Sequence, residues 1–370
     1  MAKIVSVVGG RPQFIKEAIT GVYLRKNHEE VLVHTGQHYD VELSENLFKQ
    51  LNILKPKYNL GVGSGSHAMQ TAKTMIGLEK VLLEEKPDIV VVYGDMNATL
   101  AAALTASKMK IPVAHVEAGA RYGLFEVPEE QNRILTDHIS TWNFSCNRYA
   151  TENLEKEGIG RTVYEVGDVM YDALRYFLPR AEQKSLREYW NEFDFLFDRS
   201  ELCPQWYFAT IHRPENTDNV AILERILCAM ERLPLPVVFA AHPRIHAKLT
   251  QLNKKNHYRN IVFIKPLGYL ESLYFAHHAC KVITDSGGLQ RESYWMGTPC
   301  VSVMRNSVDP HMGRGNCHVL ARKDTEDILE KCLYTEVDRS CFDNSPYGGG
   351  QACEKISNIL LEKVSLGNIR

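Results

Sequence analysis

The stretch Ile89-Val90-Val91-Val92-Tyr93 is apolar at every position, without the polar alternation of a strand that exposes one face. Such a strand is buried on both sides, which requires a parallel sheet sandwiched between helices. The same grammar recurs along the first half of the chain. β-Branched runs read as strands at Ile4–Val8, Glu30–His34, Ile89–Tyr93, Val113–Val116, Trp142–Ser145 and Val163–Val166, separated by segments of helical period at Pro12–Arg25, His67–Glu85, Ala98–Met109 and Glu130–Ile139. A charged, aromatic stretch, Ala181–Ser200, reads as a connector or surface helix before a second series begins. Its expected strands are Trp206–Thr210, Pro236–Ala240, Ile261–Phe263, Val282–Thr284 and Cys300–Val303, with helices at Ala221–Leu233 and Leu289–Met296. The chain then passes through Tyr347-Gly348-Gly349-Gly350 into an amphipathic helix, Ala352–Val364.

A length of 370 residues accommodates two such series as separate domains, at roughly 100–200 residues per domain. The expected architecture is α/β: two Rossmann-like, doubly wound domains with a cleft between them. A composition of 44% apolar and 24% charged residues excludes a disordered, collagen-like or small disulfide-stapled chain. The net charge of −2 argues against general nucleic-acid binding, which needs a basic face to displace counterions, but leaves room for a local anion pocket. The apolar run Ile4–Val8 is too short for a signal-peptide core or a membrane span. Nine cysteines, with no C-x-x-C pair and none before Cys146, read as free thiols of a reducing cytoplasm.

In open α/β sheets ligands bind beyond the C-terminal strand ends, where loops enter helices. Thr284-Asp285-Ser286-Gly287-Gly288 lies at such a point. Its glycines let a backbone approach an anion, Ser286 offers a hydroxyl, and the helix start supplies N–H groups and a favourable dipole. A plain helix cap at Ser286 is the alternative. Glu292, further along the same helix, suits ribose hydroxyls or a solvated face. Gly9-Gly10-Arg11-Pro12 forms a second strand-to-helix turn, with Pro12 suited to the first helical turn. Arg11 would sit at the cleft and Lys16 one turn later, although either charge also fits a surface. No G-x-G-x-x-G fingerprint is present, which disfavours a nicotinamide dinucleotide.

Acids follow at two more strand ends, Asp95 after Tyr93-Gly94 and Glu117 after His115-Val116. Pro128-Glu129-Glu130-Gln131-Asn132-Arg133 is a proline-primed helix start whose glutamates work in the site or simply complement the helix dipole. Carboxylates gathered in one cleft serve as general acids and bases. His212-Arg213 and His242-Pro243-Arg244 bring imidazole and guanidinium groups to strand ends of the second series. A metal reading of the histidines has little support: no pair has HExxH spacing, and His277-His278 read as structural or surface residues of a helix.

Taken in order, Gly10-Arg11-Pro12-x-x-x-Lys16, Thr35-Gly36-Gln37-His38, Gly94-Asp95, His115-x-Glu117-Ala118-Gly119-x-Arg121, Pro128-Glu129-Glu130-x-Asn132-Arg133, His212-Arg213-x-Glu215-Asn216 and Asp285-Ser286-Gly287-Gly288-x-Gln290-x-Glu292 resemble the non-hydrolysing UDP-N-acetylglucosamine 2-epimerases. The match spans nearly the whole chain. The spellings Arg11-Pro12-Gln13-Phe14-Ile15-Lys16, Leu135-Thr136-Asp137, Gly167-Asp168-Val169-Met170, Glu215-Asn216-Thr217-Asp218 and Tyr347-Gly348-Gly349-Gly350 are most similar to the branch acting on UDP-2,3-diacetamido-2,3-dideoxy-glucuronate.

The resemblance implies a GT-B-like fold. Residues 1–170 would form an N-terminal Rossmann-like domain with the catalytic carboxylates, 171–350 a UDP-binding domain, and 351–370 a helix crossing back to the first. It also implies a homodimeric cytoplasmic isomerase of polysaccharide precursor synthesis, without redox cofactor or essential metal. UDP would leave C1 as the C2 proton departs, giving a glycal, and would re-add with the proton delivered to the other face. By the same resemblance Asp95, Glu117, Glu129 and His212 are catalytic, and Arg11, Ser286, Gly287, Gly288 and Glu292 contact UDP. Lys16, Arg133, His242 and Arg305 are further binding candidates, with Gln37 and His38 near a sugar or regulatory pocket.

The chain departs from the family pattern where an Arg is normally followed by a Thr-Glu pair. It reads Met304-Arg305-Asn306-Ser307-Val308-Asp309-Pro310-His311-Met312-Gly313-Arg314, and Met96 and Ala120 stand for the usual Thr and Leu. An altered sugar is the expectation. A hydrolysing epimerase, a GT-B glycosyltransferase and a non-catalytic UDP-sugar sensor are the rivals.

Overall fold

The computed structural model describes residues 1–36, 47–197, 203–306 and 309–365. They fall into two compact units, Met1–Tyr176 with Asn344–Arg370, and Phe177–Asp343.

The sheet of the first unit contains β1 (Lys3–Val8), β2 (Glu29–His34), β3 (Tyr58–Asn59), β4 (Ile89–Tyr93), β5 (Val113–Ala118), β6 (Trp142–Ser145) and β7 (Val163–Glu165). All are parallel, in the order β3-β2-β1-β4-β5-β6-β7. Every residue of β4 is buried, as its unbroken apolar run demands. Helices α1 (Arg11–Asn27), α2 (His67–Glu85), α3 (Asn97–Lys108), α4 (Pro128–Ile139) and α5 (Arg148–Lys156) make crossovers between the parallel strands, and α6 (Val169–Ala181) follows β7 and runs into the second unit. Val5, Val7, Val31, Val33, Leu78, Leu82, Val90 and Val92 build one layer of core beneath α2 and α3.

Helix α1 buries Gln13, Lys16, Glu17 and Thr20 together with Phe14 and Ile15, so it has no single apolar face. The C-terminal helix Ala352–Ser365 packs beside it, with Asn27 Nδ2 donating to Ser357 Oγ at 3.1 Å.

The second unit repeats the plan with β8 (Tyr207–Thr210), β9 (Val237–Ala240), β10 (Ile261–Ile264), β11 (Lys281–Thr284), β12 (Cys300–Ser302) and β13 (His318–Leu320), parallel in the order β10-β9-β8-β11-β12-β13. Its helices are α7 (Leu186–Glu192), α8 (Val220–Glu231), α9 (His246–Asn256), α10 (Tyr269–His277), α11 (Gly287–Trp295) and α12 (Thr325–Leu333), besides a helical turn at Pro214–Thr217. Leu223, Ile226, Met230, Phe239, Leu249 and Ile283 lie at its centre.

The strands and helices named from the sequence lie within a few residues of their expected places, whereas α5, α6, α9 and α12 carry no such expectation. The short edge strands β3 and β13 were not expected, since two or three residues carry no readable period. Inside the presumed connector, Ser185 and Glu188 form a reciprocal cap that starts α7. All nine cysteines are free thiols. Among the described residues no helix is long and apolar enough to cross a membrane.

Candidate active site

In the first sheet the chain reverses its direction of winding between β1 and β4, because β2 lies on one side and β5 on the other. That switch point is where an open α/β sheet leaves a crevice. Two loops meet there through Gln13, which accepts from Gly9 N–H at 2.6 Å and donates to Tyr93 O at 2.7 Å and Thr99 Oγ1 at 2.8 Å.

Lys16 and Glu117 form an ion pair at this crevice, their side chains only 6% and 11% exposed. Gly94 has φ +63°, and a Cβ there would lie 3.3 Å from Lys16 Nζ and 3.7 Å from Glu117 Oε2. A glycine therefore leaves the pair its space. Glu117 itself has φ +72°, a left-handed conformation unusual for a side-chain-bearing residue, and the pairing of β5 with β6 shifts register around it. A bulge of this kind re-aims a side chain that a regular strand would direct elsewhere.

Behind the bulge His115 bridges Asp137 Oδ1 and Gly94 O, each at 2.7 Å from a ring nitrogen. Asp137 also accepts from Gly119 N–H at 3.2 Å and pairs with Arg121 at 2.8 Å. Burial pushes the Asp137 carboxyl up, but His115 and Arg121 outweigh it and hold it below the usual carboxylate range. The glycines flanking the acid sites are thus tied to one buried anion.

Asp95, with a side chain 35% exposed, is ion-paired with Arg133. Arg133 also reaches Glu130 at 2.9 Å and stacks 4.2 Å over the Tyr122 ring. Burial disfavours charge on that guanidinium, yet Asp95, Tyr122 and Glu130 together more than compensate and raise its pKa. Glu130, buried, accepts the backbone N–H groups of Tyr122 and Gly123 at 2.9 Å. It is therefore a tie between helix and loop, more than the partner for a helix dipole considered from sequence. Glu129 is exposed in the same first turn, without a hydrogen bond or ion pair among the described residues. Asn132 Nδ2 donates to Asp95 O at 3.0 Å and to Asn97 Oδ1 at 3.2 Å. A cavity of about 430 Å³ opens beside this network, lined by His67, Thr71, Met75, Asn97, Gln131 and Asn132 among others. Arg11 is exposed at the start of α1; Gln37 and His38 lie outside the described residues.

The second unit has its own switch point, between β8 and β11. Ser286 caps α11, its hydroxyl accepting from Leu289 N–H at 3.3 Å. Gly287 and Gly288 follow at the first turn, where backbone N–H groups have no acceptor inside the helix. Asp285, fully buried, accepts from His212 N–H at 3.0 Å, Arg213 N–H at 2.8 Å and Asn216 Nδ2 at 2.9 Å. It also pairs with His212 Nδ1 at 3.0 Å. Burial pushes the Asp285 carboxyl up, but the His212 ring, with Asn216 and the Arg213 backbone, holds it below its ordinary value. With Nδ1 held by Asp285, Nε2 is the other ring nitrogen of a side chain 40% exposed.

His242 stacks on His212, ring centroids 6.1 Å apart. Arg244 donates to His212 O at 3.3 Å and pairs with Asp218 at 3.0 Å. Glu292 is buried on α11, and Arg305 is exposed just after β12. Sequence reasoning assigned no role to Asp285, Asn216, Asp137 or Gln13. Only their places in the family-like motifs hinted at them, since none carries chemistry by itself.

Residues 23–361 match the family model described as UDP-N-acetylglucosamine 2-epimerase. The chain is 41% identical over 362 residues to a UDP-N-acetylglucosamine 2-epimerase homolog of Methanococcus maripaludis, covering 97% of this chain and 99% of that one. It is 37% identical over 369 residues to the UDP-2,3-diacetamido-2,3-dideoxy-D-glucuronate 2-epimerase of Pseudomonas aeruginosa, with 97% and 99% covered. The crystal structure of the Methanocaldococcus jannaschii UDP-GlcNAc 2-epimerase in complex with UDP-GlcNAc and UDP superposes with a TM-score of 0.87 at 37% identity, over 97% of this chain and 99% of that one. Paired Rossmann-like, GT-B-like sheets, acids and cations at both switch points, and similarity along nearly the full length agree: the chain belongs to the UDP-N-acetylglucosamine 2-epimerase family.

Proposed function

We propose that this isomerase inverts C2 of a UDP-activated 2-acetamido sugar by eliminating UDP and adding it back, with Asp95, Glu117, Glu129 and His212 as its catalytic groups. A carboxylate takes the C2 proton while the C1–O bond breaks. UDP leaves with that electron pair, and a C1=C2 double bond forms. In the return step a UDP oxygen bonds C1 again as a carboxyl delivers a proton to the opposite face of C2. Atoms and charge balance without a redox cofactor.

The observation that carries this reading is the charge at the two switch points: Lys16–Glu117 and Arg133–Asp95 in one unit, His212–Asp285 beside the α11 N-terminus in the other. Acids set among cations suit proton transfer at a carbon, and a helix start with an imidazole suits a diphosphate leaving group. Arg11, Lys16, Arg133, His242, Ser286, Gly287, Gly288, Glu292 and Arg305 bind the nucleotide sugar. The substrate is UDP-GlcNAc or its 2,3-diacetamido-glucuronate analogue, and the product is a manno-configured precursor for a surface polysaccharide.

The enzyme acts in the cytoplasm as a homodimer. Nine free thiols fit a reducing compartment, and Met69, Ile76 and Leu83 leave an apolar line exposed on α2.

Turnover of UDP-GlcNAc and of the diacetamido-uronate in deuterated water, followed by NMR, tests the reaction. Deuterium must appear at C2 with interconversion of the two C2 epimers. No exchange with either sugar would overturn the reading. Free UDP accumulating in step with product would replace it by the hydrolysing alternative, which the changed segment from Asn306 to Arg314 motivates.

A further inference from the structure

Outside the residues assigned to the reaction, Glu182, His277 and His278 bring three ligand atoms within 4.8 Å of one another. All three belong to the second unit. Glu182 follows α6, its N–H donating to Leu178 O at 3.0 Å, and the two histidines close α10. His278 Nε2 lies 3.0 Å from the Glu182 carboxylate. The Nδ1 of His277 is buried and has no hydrogen-bond partner. Two contacts hold the histidines. Thr298 Oγ1 donates to His277 O at 3.2 Å, and the Tyr274 ring packs 4.5 Å from that of His278.

We propose that Glu182, His277 and His278 bind a divalent transition-metal ion of the zinc class. Two imidazoles and one carboxylate form a borderline donor set that suits zinc, nickel or copper, whereas calcium and magnesium ask for oxygen ligands throughout. Ligand atoms around one zinc ion stand about 3–4 Å apart, given metal–ligand bonds of about 2.0–2.2 Å, so small side-chain rotations complete the site. Of the two nitrogens through which His277 can take an ion, Nδ1 holds no competing hydrogen bond. The ion's place in the fold makes it a clamp: it links the end of α6 to the end of α10. Sequence spacing could not reveal it. The acid precedes His278 by 96 residues, and adjacent histidines match no metal-binding motif.

The test uses full-length, tag-free protein stripped with EDTA and titrated with zinc chloride by calorimetry, then with cobalt to read ligand-field absorption. One saturable ion per chain is expected, together with a rise in the thermal unfolding midpoint. Glu182→Gln combined with His278→Ala should lose both effects. Glu182→Gln alone, at an exposed position, guards against loss of fold in the double variant and should weaken binding. Epimerase turnover should persist in EDTA. Absence of saturable binding by the unsubstituted protein, or undiminished binding by the double variant, would overturn the site.

Discussion

At the scale of single residues, Glu117 illustrates how strain and chemistry coincide. Its left-handed backbone costs on the order of 1–2 kcal/mol, and a bulge whose only purpose was to end the strand would be relieved by glycine. Here it carries the carboxylate that meets Lys16. Glu117→Gln keeps the shape and removes the carboxylate, so under the proposed mechanism turnover should fall by about 10²–10⁴ while UDP binding persists. Steady-state rates and calorimetry with UDP read the two effects separately. Unchanged turnover would remove Glu117 from the reaction. Glu17, one position after Lys16, behaves differently. It is fully buried beside Glu30, with Arg25 reaching both at 3.3 Å and 2.6 Å. Burial and the Glu30 charge push its carboxyl up to about 8, against the opposing pull of Arg25. The folded state therefore holds a proton that the unfolded chain gives up above pH 4.5. Since the native state binds more protons across that interval, this group's contribution to stability is full below it and declines as pH rises towards 8. Denaturant midpoints between pH 5 and pH 9 should decline less in Glu17→Gln than in the unsubstituted chain. Parallel slopes would exclude Glu17 as the source.

Among the elements, α4 shows what a helix start contributes. Glu130 holds the Tyr122–Gly123 backbone and buries its charge against Arg133, which in turn holds Asp95. Glu130→Ala leaves a buried guanidinium with one partner fewer and two N–H groups unsatisfied, a loss of roughly 3–5 kcal/mol. Thermal unfolding should show a large fall for Glu130→Ala and a smaller one for Glu130→Gln, which still accepts hydrogen bonds. Equal, negligible shifts would show that the loop holds itself. The Pro128-primed start was readable in the sequence, because proline and two acids have position-specific physics at a helix N-terminus. Which glutamate does what was not readable, since that depends on the Tyr122 backbone folding back over the helix. Strands such as β4 announced themselves by continuous apolarity. Helix α1 was legible from its Gly-Gly-Arg-Pro entry, although its buried Gln13, Lys16 and Glu17 blur any amphipathic period. Asp285 stood in plain view within its motif, yet its grip on His212 needs β8 and β11 side by side, a pairing of segments about 74 residues apart.

For the whole molecule, the open question is what covers α2. Met69, Ile76 and Leu83 are 53%, 61% and 61% exposed, and their spacing of seven residues sets them on one line along the helix. Three large apolar side chains in a row suit the seam of a helix–helix contact. A second copy of this chain meeting the line with its own α2 would bury both by two-fold symmetry, because an isologous contact pairs one patch with itself. A single seam is narrow, and a stable interface buries about 1,600 Å² in all, so flanking residues must join it. The central position then matters most. Ile76→Glu places a charge in the middle of each line and faces it with another across the symmetry axis, while at an exposed site it costs the monomer little. Light scattering behind size exclusion should find a dimer for the unsubstituted chain and a monomer for Ile76→Glu at the same concentration. Circular dichroism should be unchanged between them. An Ile76→Glu variant that stays dimeric would move the interface off α2, and a monomeric unsubstituted chain would end the homodimer reading altogether.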